Sequence, residues 1–255
     1  THTFTRHQHL ARLRRSAEAI GLDIPIPESH WPELLHEAMR RNGVGNEQTD
    51  AYLRITVSRG AGEIGLDPGL CPRATVVIMA KPLHPSPPVL SRDGVSLTVA
   101  NTRRNLPEAL SPQIKSTNFL NNILAKRESI AAGTFDSLFL NWKDELTECT
   151  VSNLFFISGK TLHTPALDCG ILDGITRTIV MTLAQEEGVP VREGHYHLAD
   201  LQRAEECFLT NTSMEIMPVN RVDSFAIGDG RPGSLTRRLQ TRFADSRTRF
   251  LEPPS

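Results

Sequence analysis

A polar, proline-broken stretch from Asn101 to Pro112 divides this chain into two halves, and each half mixes helical and strand patterns. Proline removes a backbone donor and restricts the residue before it, so Pro107 and Pro112 mark a connection and not an element. The mixture on both sides predicts an α/β fold of α+β type in two lobes. The stretch opens onto Gln113-Ile114-Lys115-Ser116-Thr117-Asn118-Phe119-Leu120, which puts one lysine just ahead of a predicted helix. A lysine whose amine is desolvated or lies beside another cation loses basicity and becomes a nucleophile toward aldehydes.

The elements follow from periodicity. His7–Ile20 places Leu10, Leu13, Ala17 and Ile20 at helical spacing. A second helix is predicted from Pro32 to Asn42, with Leu34, Leu35 and Met39 on its apolar face and Gly43 at its end. Ala51–Ser58 alternates as a half-buried strand, and Ala74–Ala80 and Val95–Ala100 read as strands, the former more fully buried. Pro82, Pro85, Pro87 and Pro88 predict a stiff surface loop. After Lys115 a helix is expected to reach Ala132, with Phe119, Ile123, Leu124 and Ile130 on its apolar side. Strands are predicted at Ser137–Asn141, Val151–Ser158, Val189–Glu193 and Glu206–Thr210, and helices at Ile175–Glu187, Leu198–Arg203 and Gly233–Phe243. The domain boundaries that follow are 1–104, a connecting loop at 105–113, and 114–255, with the candidate site residues near the junction.

Composition narrows the function classes. A net charge of −1 over 255 residues carries no nucleic-acid footprint. No apolar run approaches bilayer length and no signal-peptide pattern is read, so a cytoplasmic protein without a membrane partner is expected. Cys71, Cys149, Cys169 and Cys207 lack C-x-x-C spacing and are read as reduced thiols, mostly buried. No Cys/His pair has metal-ligand spacing, so no metal is expected, and His195 and His197 read as surface residues.

Lys115 is followed in order by Leu146-Thr147-Glu148-Cys149-Thr150-Val151-Ser152-Asn153-Leu154-Phe155-Phe156, by Gly170-Ile171-Leu172-Asp173-Gly174-Ile175-Thr176-Arg177, and by Phe208-Leu209-Thr210-Asn211-Thr212-Ser213-Met214-Glu215-Ile216-Met217-Pro218-Val219. This ordered set resembles the class IV aminotransferases, the fold-type IV enzymes that use pyridoxal 5'-phosphate. The resemblance runs from about Phe4 to about Phe243. It implies a smaller N-terminal α/β domain, a larger C-terminal mixed-sheet domain and a homodimer or a dimer of dimers. Members of the family carry strands ahead of the first helix. Their absence after Thr1 points to a truncated, processed or partly represented N-terminus.

The resemblance also implies roles. Lys115 is the candidate catalytic residue, the Schiff-base lysine and proton shuttle. Glu148 is the candidate partner of the pyridine nitrogen, because a neighbouring negative charge favours the protonated ring. Asn153 belongs to the same motif and is a candidate for cofactor binding. Gly174, Ile175 and Thr176 open a helix whose N–H groups and dipole suit a phosphate. Thr212 is assigned to the phosphate as well, as is Arg12, whose bland alternative is a solvated helix arginine. For the substrate, Tyr52 and Arg54 share a strand face, and an arginine there can pair bidentately with a carboxylate. The backbone N–H groups of Thr212 and Ser213 are further candidates, and Arg59, Arg103 and Arg104 weaker ones.

Two activities fit this set. One is transamination between an amino acid, of branched-chain or D-amino-acid type, and a 2-oxo acid. The other is the pyruvate elimination of an aminodeoxychorismate lyase. Glu215 favours the first by resemblance. A non-catalytic scaffold of the same fold is the third possibility, and retention of Lys115, Glu148, Thr176 and Thr212 argues against it.

Overall fold

The computed structural model describes residues 2–45 and 50–253. The chain forms two compact units, Thr1–Pro85 with Thr248–Ser255, and Ser86–Arg247.

The first unit contains β1 (Thr3–Phe4), α1 (Arg6–Glu18), α2 (Trp31–Arg41), β2 (Ala51–Ser58) and β3 (Thr75–Pro82). In α1 the buried side includes Leu10 and Ala17, but Leu13 is only half-buried and Ile20 lies exposed beyond the helix end. Trp31, Leu35 and Met39 repeat every fourth residue and form the buried stripe of α2. Leu34, expected on that face, points outward. β2 and β3 pair antiparallel along their whole length, from Ala51 with Pro82 to Ser58 with Thr75. Among the described residues this sheet has two strands. That corrects the expectation of a buried strand at Ala74–Ala80: Val77 and Met79 are 53% and 48% exposed, and only Ala80 is buried, in a small cluster with Met39 and Val44.

The second unit runs α3 (Pro88–Asp93), β4 (Val95–Val99), α4 (Leu120–Ala132), β5 (Asp136–Leu140), β6 (Leu146–Cys149), β7 (Asn153–Ser158), β8 (Thr161–Pro165), α5 (Ile175–Glu186), β9 (Val191–Gly194), α6 (Leu198–Gln202), β10 (Glu206–Asn211), β11 (Glu215–Val222), β12 (Phe225–Ala226) and α7 (Ser234–Ser246). A last strand, β13 (Leu251–Glu252), pairs with β1 in the first unit. The large sheet follows the order β10-β11-β4-β5-β6-β7-β8-β9. Because β10 also pairs with β7, the path from β10 round to β7 closes on itself. Closure removes strand edges and leaves an interior that side chains must fill. Leu97, Leu138, Leu154, Phe156, Leu209 and Met217 belong to that core. Residues 86–104 were expected in the first domain, but β4 is a central strand of this sheet, between β11 and β5.

Several elements differ from the expectation. The strand expected at Val151–Ser158 is β7, which starts at Asn153, and β6 ahead of it was not expected; a turn at Thr150–Ser152 separates the two. β8, β11 and α3 had no counterpart in the sequence reading, and α3 lies where a proline loop was expected. In α4 the expected apolar side is the exposed one: Ile123, Leu124 and Ile130 all face outward, whereas Ala125 and Ser129 are buried. The small residues let α4 approach β5 closely, and the Ser137 hydroxyl donates to the Ala125 carbonyl at 2.6 Å.

Candidate active site

Glu148 and Asn153 stand opposite each other where β6 meets β7. Glu148 is 5% exposed, so its charge needs partners. It has them on both oxygens. Arg104 Nη2 donates to Oε1 at 2.6 Å. Asn153 Nδ2 and the Leu172 N–H both donate to Oε2 at 3.1 Å. Burial pushes the carboxyl's pKa up, and the charges of Arg104 and Lys115 and the Leu172 N–H act against that rise.

Arg104 had been a weaker candidate for a substrate carboxylate. The structure commits it elsewhere: besides Glu148 it donates to the Gly170 carbonyl at 3.2 Å and to Asn121 Oδ1 at 3.2 Å. Its own N–H donates to the Leu140 carbonyl, which fixes the backbone beside β5. Gly170 has φ +94°, a conformation that favours glycine.

Asn153 links Glu148 to the start of α5, since its Nδ2 also donates to the Leu172 carbonyl at 2.9 Å. Gly174 is the N-cap of α5 and has no side-chain cap. Its φ is ordinary; what demands glycine is space, because an added Cβ would fall 2.0 Å from Asn153 Oδ1. Thr176 is buried in the first turn and Ile175 half-buried. An uncapped helix start presents N–H groups and a positive dipole end. Arg177, the next residue, is structural here: it is buried and pairs with Glu193 at 2.6 Å.

The turn after β10 lies beside the turn after β6. Asn211 Nδ2 donates to the Val151 carbonyl at 3.3 Å, and Asn211 Oδ1 accepts from the N–H groups of Ser213 and Met214. The Ser213 N–H, a substrate candidate from sequence, is therefore held inside its own turn, while Thr212 is exposed at the tip. Glu215 begins β11 with φ 58° and pairs with Arg247 at 3.5 Å. Ser152 Oγ and Thr210 Oγ1 are buried, and among the described residues neither has a hydrogen-bond partner. Lys115 is exposed in the segment before α4, five positions ahead of its first residue Leu120.

The remaining candidates lie in the first unit. Arg12 is 7% exposed, with Nη2 3.5 Å from His9 Nδ1, which rules out the solvated alternative. Tyr52 is half-buried with the Lys81 ammonium over its ring, and Arg54 is exposed. Of the weaker candidates, Arg59 in this unit donates to the carbonyls of Ile20 and Gly21, and Arg103 in the second pairs with Asp144 at 2.5 Å. The residues that sequence reasoning missed are two that hold Glu148, Arg104 in that role and Leu172 through its backbone, and Asn122, which accepts from Arg104 at 3.5 Å and donates to the Thr150 carbonyl at 2.6 Å.

The chain resembles known proteins in both sequence and fold. The family amino-transferase class IV matches residues 1–222. A protein of Methanocaldococcus jannaschii named as a branched-chain-amino-acid aminotransferase is 37% identical over 97% of this chain and 83% of its own length. The aminodeoxychorismate lyase of Bacillus subtilis is 30% identical over 91% and 77%, and a D-alanine aminotransferase of Listeria monocytogenes 32% over 96% and 83%. The crystal structure of the Escherichia coli branched-chain amino acid aminotransferase superimposes with a TM-score of 0.93 at 27% identity, covering 100% of this chain and 85% of that one. The chain belongs to the class IV aminotransferase family.

Proposed function

We propose that this chain is a pyridoxal 5'-phosphate-dependent transaminase acting between an amino acid, of branched-chain or D-amino-acid type, and a 2-oxo acid. The observation that carries the proposal is the buried Glu148 carboxylate, held on both oxygens and within the electrostatic reach of Lys115. When bound, the cofactor supplies an aldehyde that captures amines and a ring that withdraws electrons from the α-carbon.

The chain's residues fit such a group. The uncapped start of α5 at Gly174, Ile175 and Thr176 suits a phosphate, and Thr212 enters by resemblance, from the turn that Asn211 ties to Val151. The unpaired hydroxyls of Ser152 and Thr210 are polar atoms in want of a partner. Lys115 Nζ would take the proton from the substrate α-carbon and deliver it to the cofactor's C4', the work of a positioned general base and acid. Glu148 favours a proton on a ring nitrogen beside it, and Asn153 orients Glu148. Arg12, Tyr52, Arg54 and Ser213 enter by resemblance, for phosphate and substrate. A homodimer in the cytoplasm completes the proposal; the exposed apolar side of α4 supports the assembly.

A second reading, pyruvate elimination, is supported by the likeness to the Bacillus subtilis lyase. The visible spectrum of the chain loaded with pyridoxal phosphate separates the two. Transamination predicts that L-leucine, D-alanine or L-glutamate converts the absorption to that of the pyridoxamine form. It also predicts that Lys115→Ala abolishes the conversion. A spectrum that no amino acid changes, together with pyruvate release from aminodeoxychorismate, selects the lyase.

A further inference from the structure

Three loops of the second unit bring a carboxylate, a thiol and an imidazole together. Glu145 closes the loop between β5 and β6, Cys169 ends the single turn Leu167–Cys169, and His195 follows β9. Their ligand atoms all lie within 4.8 Å of one another. His195 Nδ1 is 3.6 Å from Cys169 Sγ and 3.2 Å from Glu145 Oε1. A tetrahedral zinc site with ordinary bond lengths sets sulfur–nitrogen and nitrogen–oxygen edges of about 3.6 and about 3.4 Å.

The other ring nitrogen, His195 Nε2, lies 3.3 Å from Asp168 Oδ2. With a cation among Nδ1, Oε1 and Sγ, Asp168 is the outer carboxylate that orients the ring, as behind many metal-bound histidines.

The surroundings are built. Asn141 Nδ2 donates to Glu145 Oε2 at 2.7 Å and to the Cys169 carbonyl at 3.2 Å, and Asn141 Oδ1 accepts from the Glu145 N–H. The Ala166 N–H donates to the Gly194 carbonyl at 2.9 Å, which ties the cysteine loop to the histidine loop. Cys169 is fully buried, and burial pushes its thiol up to about 11. The His195 side chain is 46% exposed and gives a route from solvent, and Asp168 and Gly170 line an open cleft of ≈ 380 Å³.

We propose that Glu145, Cys169 and His195 form a binding site for a thiophilic divalent cation such as Zn²⁺, with Asp168 oriented behind the imidazole. Binding displaces the thiol proton to solvent. The ion braces the segment whose next residues hold the other site, since Gly170 accepts from Arg104 and Leu172 donates to Glu148. Sequence spacing hid the set, because Cys169 and His195 are 26 positions apart.

The test is a Co²⁺ titration of the chelator-stripped full chain, followed as a difference spectrum. The expected result is saturation at one equivalent with a thiolate-to-cobalt charge-transfer band. Cys169→Ser removes the band, His195→Gln weakens binding at least tenfold, and Asp168→Asn weakens it about 10–100-fold. His195 is exposed, so His195→Gln stays informative if Cys169→Ser fails to fold. A wild type without the band overturns the proposal. So does a band that survives Cys169→Ser, or His195→Gln binding as tightly as wild type.

Discussion

Arg104 Nη2 stands 2.6 Å from Glu148 Oε1, and both side chains are 7% exposed. Breaking a buried pair from one side leaves a charge without compensation and costs about 3–5 kcal/mol. Arg104→Met is expected to lose about that much stability in urea denaturation. The double variant Arg104→Met with Glu148→Gln is expected to recover a large part of it, because no charge remains buried. A single-variant loss of about 0–1 kcal/mol, as for an exposed pair, would show that the structure tolerates a lone Glu148.

Gly174 is constrained by Asn153 and not by its own backbone angle. An alanine Cβ would sit 2.0 Å from Asn153 Oδ1, so Gly174→Ala must push Asn153 away from Glu148 and Leu172. Overpacking of this kind costs about 1–3 kcal/mol. The expected outcome is a lower melting temperature and weaker retention of added pyridoxal phosphate. Adding Asn153→Ser should relieve the clash and restore part of the stability. A Gly174→Ala chain that melts and retains cofactor like wild type would contradict the contact.

The order of motifs was legible because it is local. Glu148, Asn153, Gly174 and Thr176 lie in short runs that sequence can compare, and the structure brings Glu148, Asn153 and Gly174 into one connected group. What was not legible is long-range. Arg104 reaches Glu148 across 44 positions, and no periodicity announces such a pairing. In α4 hydrophobicity misled outright. The buried side carries Ala125 and Ser129 because closeness to β5 matters more there than apolar area, and Asn121 and Asn122 turn inward to bond backbone near the site. β11 escaped because Pro218 interrupts its pattern, although Val219 and Val222 on it are buried.

Asp136 supplies a pH dependence with a definite sign. It is buried beneath Thr150, whose hydroxyl donates to it at 2.6 Å, and burial pushes its pKa above the ordinary 3.8. The folded chain therefore holds this proton to higher pH than the unfolded chain. The stability it contributes is fully present below 3.8 and is lost as pH rises through the folded pKa. Denaturation of wild type and Asp136→Asn at a series of pH values should show wild type losing ground to the variant as pH rises through that window. A difference that moves in wild type's favour on the same climb would mean that Thr150, Ser137 and Lys126 outweigh burial.

The exposed side of α4 carries the last prediction. Leu120, Ile123 and Ile130 are 65%, 54% and 69% exposed, and Leu124 lies beside them at neighbouring helical positions. An apolar stripe of this kind on an enzyme surface calls for cover, and a second copy of the chain is the cover proposed. Light scattering on the purified protein should give twice the chain mass of 28.3 kDa. Ile123→Glu and Ile130→Glu each place a charge in the stripe and are expected to shift the mass toward one chain at low concentration. They should also lower the melting temperature, since the stabilisation that association adds is lost with it. A wild type that runs at the mass of one chain rejects the homodimer. A dimer that both variants leave intact keeps the assembly but moves its interface away from α4.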